Sequence, residues 1–413
     1  LTAKLDPLLF GEADPPRRLL MGPGPINCHP RVLRAMSADL LGQFDPEMTG
    51  FMNDVMSLYR PIFGTQNQWT MLINGTARSA IEASLVSMVA PGETVLVVNF
   101  GRFGLLLIEI LERIGAKIEQ VEVPWGEVVP IEAIAQAIER TGPGLVATVH
   151  GDTSTTMAQP LEGLGALCRD AGAFSYVDAT ATLSGMEIAA DRWGIDIVTG
   201  GLQKCLGGPS GSAPITISER AAEHIGKRRH VELGIRRPDI EEGTGPRIAS
   251  NYFDLAMIID YWSEKRLNHH TEATSMLYAA RECARVALGE GLEVRFDRHV
   301  RAGRAVTAGL RAMGLTVFGD DAHRMTNVTG VYIPDGIDGE AVRTAMREHF
   351  EIEIGTAFGP LVGKIWRIGA MGYNARKDAV LTTLGALEAC LRMAGYALTP
   401  GDAVPAALEA WNG

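Results

Sequence analysis

Residues 195–214, IDIVTGGLQKCLGGPSGSAP, set one lysine, Lys204, between a short apolar run and a segment dominated by glycine and proline. IDIVTGG reads as a buried strand, and CLGGPSGSAP cannot continue as a helix because Gly and Pro interrupt it. Lys204 is therefore expected in a loop at a strand end, where α/β proteins place their chemistry. Most lysines keep the ammonium in water and lay their stem on apolar surface. A lysine held out of water has a lowered pKa and becomes competent for Schiff-base chemistry, which arginine cannot perform. The stretch alone leaves both readings open.

Outward from Lys204 the texture is regular. From about residue 69 to 217, β-rich runs (WTMLI, TVLVVNF, GLVATVH, FSYVDAT, IDIVTGG) alternate with helical patterns (RSAIEASLVSMVA, LLLIEILERIGA, GLGALCRDAG). Strands nearly all apolar and spaced by helices imply an α/β fold, a mostly parallel sheet covered on both faces. SAPITIS follows Lys204 after a loop too short for a crossover helix and is expected to run antiparallel. After about residue 291 the pattern changes to short strands and two helices, GEAVRTAMREHF and a final AVLTTLGALEACLRMAG, a smaller α+β unit. The expected organisation is an N-terminal arm (1–20), a large domain (21–290) and a small C-terminal domain (291–413).

Composition narrows the function classes. With 413 residues, 46% hydrophobic and 21% charged, the chain can bury two cores. A net charge of -11 argues against a general nucleic-acid binder, which needs a basic face. The five cysteines are scattered, with no CxxC pair, so no disulfide framework or cysteine zinc site is expected and a reducing cytoplasm is. No apolar run approaches the ~20 residues of a membrane span, and no basic stretch precedes an apolar one at the start. His269-His270 invites a metal, but adjacent side chains diverge and no HExxH accompanies them, so no metal site is expected.

The loops after the other strands supply candidates for one site. NGTARSAIEA opens a helix after a strand, and its small residues Gly75, Thr76 and Ala77 would let backbone amides meet an anion, though a plain turn and N-cap reads equally well. Asp178 ends the strand FSYVD, where a buried carboxylate needs a partner. That partner is a protonated pyridine nitrogen, an ion pair or the N–H of a cap. VHGDTSTTMAQP places His150, Thr153 and Ser154 past another strand, and NFGRFG does so with Phe103, a stacking ring or an ordinary core residue. A phosphate cradle, a stacking ring, a buried acid and a lysine in a Gly-rich segment together fit pyridoxal 5'-phosphate.

GPGP, HGDTST, VDATAT, GGLQKCLGGPSG, LNHHTEA and GKIWRIGAMG stand in the order and approximate spacing of the alanine–glyoxylate and serine–pyruvate group of class V aminotransferases, fold type I, which the chain resembles from residue 21 to 394. The resemblance implies Lys204 as the Schiff-base lysine, Asp178 as partner of the pyridine nitrogen, Phe103 as the stacking ring and Thr153 near the phenolic oxygen. It implies Gly75, Thr76, Ala77, Thr180 and Gln203 around the cofactor, with Thr271 reaching in from the second subunit of a homodimer. Arg367 matches the arginine that clamps the substrate carboxylate, and Gly24 of GPGP falls at the substrate site. His150 reads as a structural hydrogen-bonder beside the cofactor.

Alanine–glyoxylate enzymes usually carry a tryptophan at the Phe103 position and a tyrosine at the Asn268 position. Gln43 in LGQFDPEMTG adds a second carboxamide, and two amides at a pocket suit a substrate bearing an amide or urea. LGQFDPEMTGFMND, SNYFDL, DYWSEKRLNHHTEAT and FGPLVGKIWRIGAMGY resemble one branch of the group, the (S)-ureidoglycine–glyoxylate aminotransferases of purine catabolism. The expectation is a cytoplasmic homodimer whose partners are a small amino donor and glyoxylate. The rivals are an alanine- or serine-glyoxylate aminotransferase, a PLP lyase or desulfurase (the latter needs a mobile cysteine, and the nearest, Cys205, is locked beside Lys204), and a non-catalytic α/β binding protein.

Overall fold

Val95, Leu96, Val97 and Val98 are all fully buried, so the strand they form must be covered on both faces. Full burial of each such side chain contributes roughly 1.5–3 kcal/mol. The computed structural model describes residues 11–236 and 242–413, and there this strand lies within a seven-stranded sheet. In chain order the strands are β1 (Trp69–Gly75), β2 (Thr94–Asn99), β3 (Lys117–Glu122), β4 (Leu145–Val149), β5 (Phe174–Asp178), β6 (Ile197–Thr199) and β7 (Gly211–Ile217). They pair in the order β1-β7-β6-β5-β4-β2-β3.

β7 runs antiparallel to β1 and β6, as SAPITIS suggested, and the remaining pairs are parallel. The carboxyl ends of the six parallel strands therefore open along one edge. The chain leaves β1 through helix α1 (Ala77–Met88) and crosses the sheet to β2 before helix α2 (Arg102–Ile114). That jump leaves a crevice between the two helix starts, where open α/β sheets bind ligands. The large core under this sheet draws on residues from Val32 to Ala287.

A second core gathers Ala302, Leu310, Val331, Val342, Trp366, Ile368, Leu387 and Trp411. Its two-stranded sheet pairs Val328–Tyr332 with Ile365–Gly369 antiparallel. Three local expectations change here. The first ten residues of the expected arm lie outside the described residues, and its end is part of this unit: Leu19 and Leu20 pair with Ile352 and Glu353, and Met21 is buried in the second core. The helix expected to be last, Lys377–Met393, is followed by another, Ala403–Asn412, packed against Leu292–Ala312. Pro405 hid it, yet a proline in the first helical turn loses no intrahelical bond.

The third change concerns Lys204, which stands on one wide, π-helical turn, Leu202–Leu206, instead of an open loop. Its own backbone angles (φ -115°, ψ -131°) depart from helical values, and Gly207 at φ 81° ends the turn. Positive φ there is cheap for glycine and costly for other residues.

At the opposite edge of the sheet Asp196, buried, ties three segments together. It accepts from the Ser175 amide (2.9 Å), the Ser218 hydroxyl (2.9 Å) and Arg220 Nε (2.6 Å). Asp196→Ala leaves these donors unpaired, and its expected cost is about 3 kcal/mol. Urea unfolding of the two proteins, compared at equal cofactor saturation, measures it.

Candidate active site

A cavity of about 230 Å³ lies at the carboxyl edge of the sheet. It is lined by Thr76, Ala77 and Arg78 from the start of α1, Phe103 and Leu106 from α2, and Gly151 and Thr153 after β4. Asp178, Thr180 and Ala181 come from the end of β5, and Gln203 and Lys204 from the turn after β6. Most of the residues read from the sequence thus come to one place, although they span 128 positions between Thr76 and Lys204.

Lys204 points into this crevice and donates to the carbonyl of Pro23. Burial, with Arg367 nearby, lowers its pKa to about 8. Gly24 (φ +102°) lies against it: a Cβ there would stand 2.5 Å from Nζ, so a larger residue would displace the lysine's flexible end and also strain its own backbone. Burial raises the pKa of Asp178, whose Oδ1 accepts from the Thr180 amide at 2.9 Å. His150, behind it, is bonded to the Thr182 hydroxyl (2.8 Å), and burial lowers its pKa to about 4, so it is neutral.

Arg367 comes from the small unit. Its Nη1 donates to the Thr153 carbonyl and its Nε to that of Thr356, each at 2.7 Å. Burial brings its pKa down to about 10, which leaves it charged at neutral pH.

Gln43, Asn268 and Thr271 do not line the cavity of their own chain. Gln43 Nε2 donates to Asn268 Oδ1 at 2.8 Å, joining two segments far apart in sequence, and Asn268 and Thr271 are exposed. The Thr271 segment is anchored beside the end of β1, where Asn74 Nδ2 meets His270 Nε2 at 2.6 Å. His269 Nδ1 and His270 Nδ1 lie 2.7 Å apart, and burial lowers the pKa of His270 to about 4. Among the described residues no three His, Cys, Asp or Glu side chains gather as metal ligands, and no helix is long and apolar enough to cross a membrane.

Residues 38–378 match the family model described as aminotransferase class-V. The (S)-ureidoglycine--glyoxylate transaminase of Bacillus subtilis is 51% identical over 399 residues, 96% of each chain. The chain belongs to the class V aminotransferases. A crystal structure of the ureidoglycine-glyoxylate aminotransferase from Bacillus subtilis superposes with a TM-score of 0.92 at 49% identity, covering 98% of this chain and all of that one. The alanine--glyoxylate aminotransferase of Drosophila melanogaster is 35% identical, covering 89% of this chain and 92% of that one.

The cofactor of this class V aminotransferase is pyridoxal 5'-phosphate, and the residues present fit it. Gln203 Oε1 is buried in the cavity wall without a hydrogen-bond partner, a cost that a bound ligand would remove. Helix α1 starts at Thr76 with no side-chain cap, which leaves its first amides for an anion. At Gly201 a Cβ would meet Gln203 Oε1 at 2.7 Å and Ala77 Cβ at 2.8 Å, so the glycine is what lets these walls converge.

One residue of this site escaped the sequence reading. Asp152, fully buried, accepts from the Phe103 amide (2.8 Å), the Ser154 amide (2.8 Å) and the Ser154 hydroxyl (2.6 Å). Ser154 Oγ in turn accepts from the Arg102 amide at 2.9 Å. The pair caps α2, whose Gly101 offers no side chain for the purpose, and so fixes the ring of Phe103. Asp-x-Ser directly after a strand is the signal that could have found it.

Because an unprotonated amine is the nucleophile, the cofactor-free enzyme should take up pyridoxal phosphate faster as pH rises, levelling off above about pH 8. Stopped-flow absorbance checks this. A rate still climbing towards the usual lysine pKa would mean that Lys204 is not desolvated.

Proposed function

We propose that this aminotransferase moves the amino group of (S)-ureidoglycine to glyoxylate, giving oxalurate and glycine, and that it works as a cytoplasmic homodimer. The observation that carries the donor is the likeness to the Bacillus subtilis transaminase over nearly the whole of both chains. The amide pair Gln43–Asn268 supports it, since two carboxamides offer donors and acceptors to a ureido group.

In this reading Lys204 holds the cofactor and, once freed by the donor, takes the proton from the donor's Cα through Nζ. An amine with a pKa near 8 can accept and return that proton near neutral pH. Bound pyridoxal phosphate supplies the electron sink for that deprotonation. Asp178 keeps the ring nitrogen protonated, and that cation offsets the burial that otherwise disfavours its carboxylate. Phe103 stacks on the ring, with Thr153 beside its phenolic oxygen. The amides of Gly75, Thr76 and Ala77, with Thr180 and Gln203, hold the phosphate. Arg367 clamps the carboxylate of either substrate, with Gly24 opposite. His150 does no proton transfer, because its Nδ1 is committed to Thr182 and its ring is a weak base.

The second chain has a role in this reading. Thr76 is exposed in the single chain, so the phosphate cradle is open on one side. Thr271 of the second subunit closes it, and Asn268 with Gln43 is carried on the same face.

Alanine–glyoxylate transamination is the second reading, favoured by the relatives that catalyse it. Single-turnover absorbance separates the two: ureidoglycine should convert the bound cofactor to its amine form faster than alanine or serine. Equal or faster conversion by alanine or serine would reverse the assignment. Asp178→Asn should lower kcat by on the order of 10²–10³, as loss of an electrostatic partner does. Arg367→Gln should act on both half-reactions, since both substrates are carboxylates, and steady-state kinetics with each substrate varied reads this out.

A further inference from the structure

Two guanidinium groups flank one exposed ring at the site. Phe358, from the small unit, has the Arg367 Cζ at 4.7 Å from its ring centre on one contact and the Arg102 Cζ at 4.7 Å on another. Arg102 also lies 5.0 Å from the ring centre of Phe103, a wall of the cavity. Two cations held within about 10 Å of each other repel, and Arg102 adds to the burial that already lowers the pKa of Arg367. An arginine so placed would be expected to have a carboxylate partner. Arg102 has none among the described residues: its guanidinium meets the two rings, and its backbone amide donates to Ser154 Oγ. The nearby acid Asp152 is committed to the Phe103 and Ser154 donors.

We propose that Arg102 is a second anion-recognition residue, which attracts small carboxylate substrates to the site and hands them to Arg367 past Phe358. The proposal rests on the reading of Arg367 as the carboxylate clamp and adds the residue that serves it. Arg102 is half-buried at the start of α2, whereas Arg367 is buried and anchored to two carbonyls. The outer cation can meet an anion still partly hydrated, and the inner one can hold it desolvated. Low-dielectric walls such as the two rings focus the field of the pair into the opening. Both substrates of the proposed reaction carry a carboxylate, so one device would serve both half-reactions. Phe358 lies in the segment that follows the small unit's strand Ile352–Glu353, and it links the unit holding Arg367 to the helix start holding Phe103.

The test compares Arg102→Met, which keeps a long apolar stem over the rings, with Arg102→Lys, which keeps the charge, and with Arg367→Lys. Kinetics with glyoxylate varied are run at several ionic strengths in the cofactor-loaded enzyme. Binding of oxamate, an unreactive carboxylate, is followed by cofactor absorbance. Arg102→Met should raise KM for glyoxylate and weaken oxamate about five- to tenfold, with the loss in KM more than in kcat, and should flatten the salt dependence of kcat/KM. Arg102→Lys should retain most of both. If Arg102→Met binds oxamate as the parent does and keeps its salt slope, while Arg367→Lys loses both, the role of Arg102 is refuted and that of Arg367 stands. If Arg367→Lys changes neither, the clamp itself is misassigned. If Met and Lys variants lose kcat alike with an altered cofactor spectrum, Arg102 only packs against Phe103 and the proposal also fails.

Discussion

The burial of one ammonium group organises this protein. Lys204 is enclosed at the end of β6, and desolvation lowers its pKa to about 8. A cation in that place would be costly in an ordinary core. It is tolerable because Asp178 and Asp152 lie near, and useful because the deprotonated amine is a nucleophile near neutral pH. The backbone beneath it is correspondingly pinned: Arg295 donates to the carbonyls of Ser184 and Cys205 and pairs with Glu290, and Asn327 donates to Cys205 Sγ at 2.9 Å.

The same constraint explains the sheet. Six parallel strands deliver their ends to one edge, and five of those ends contribute a different chemical type: amides after β1, a ring after β2, hydroxyls after β4, a carboxylate at β5 and the amine after β6. β7 then returns antiparallel between β1 and β6. It thereby brings the amide cradle to the lysine side of the sheet without a crossover helix. The small unit supplies Arg367 across the opening, held by carbonyls of both units, Thr153 and Thr356. The loop after β4 therefore both lines the cavity and anchors Arg367.

Much of this was legible in the sequence for a physical reason. Strand ends in parallel sheets are marked by apolar runs that stop abruptly, and Asp178, Thr153 and Lys204 each stand just beyond such a stop. Phe103, Thr76 and Ala77 were each open to two readings in the sequence, and only the folded sheet sets them in one cavity. Asp152 was in view within HGDTST, yet the sequence does not say which way a side chain turns in a loop. Phe358 opens the quoted stretch FGPLVGKIWRIGAMGY, yet nothing in the sequence shows that it lies against Arg102, more than 250 positions earlier. The helix Ala403–Asn412 was obscured by a proline that local reasoning takes for a breaker. Gln43, Asn268 and Thr271 illustrate a different limit: none of them lines its own chain's cavity, so the roles expected for them rest on the proposed second chain.

Desolvation makes Lys204, and no other lysine, the expected carrier of the cofactor. Reduction of the loaded enzyme with borohydride, followed by mass spectrometry of its peptides, tests this directly. One phosphopyridoxyl group per chain is expected, on the peptide containing GGLQKCLGG. Label on another lysine, or a loaded enzyme that gives no covalent label, would contradict it.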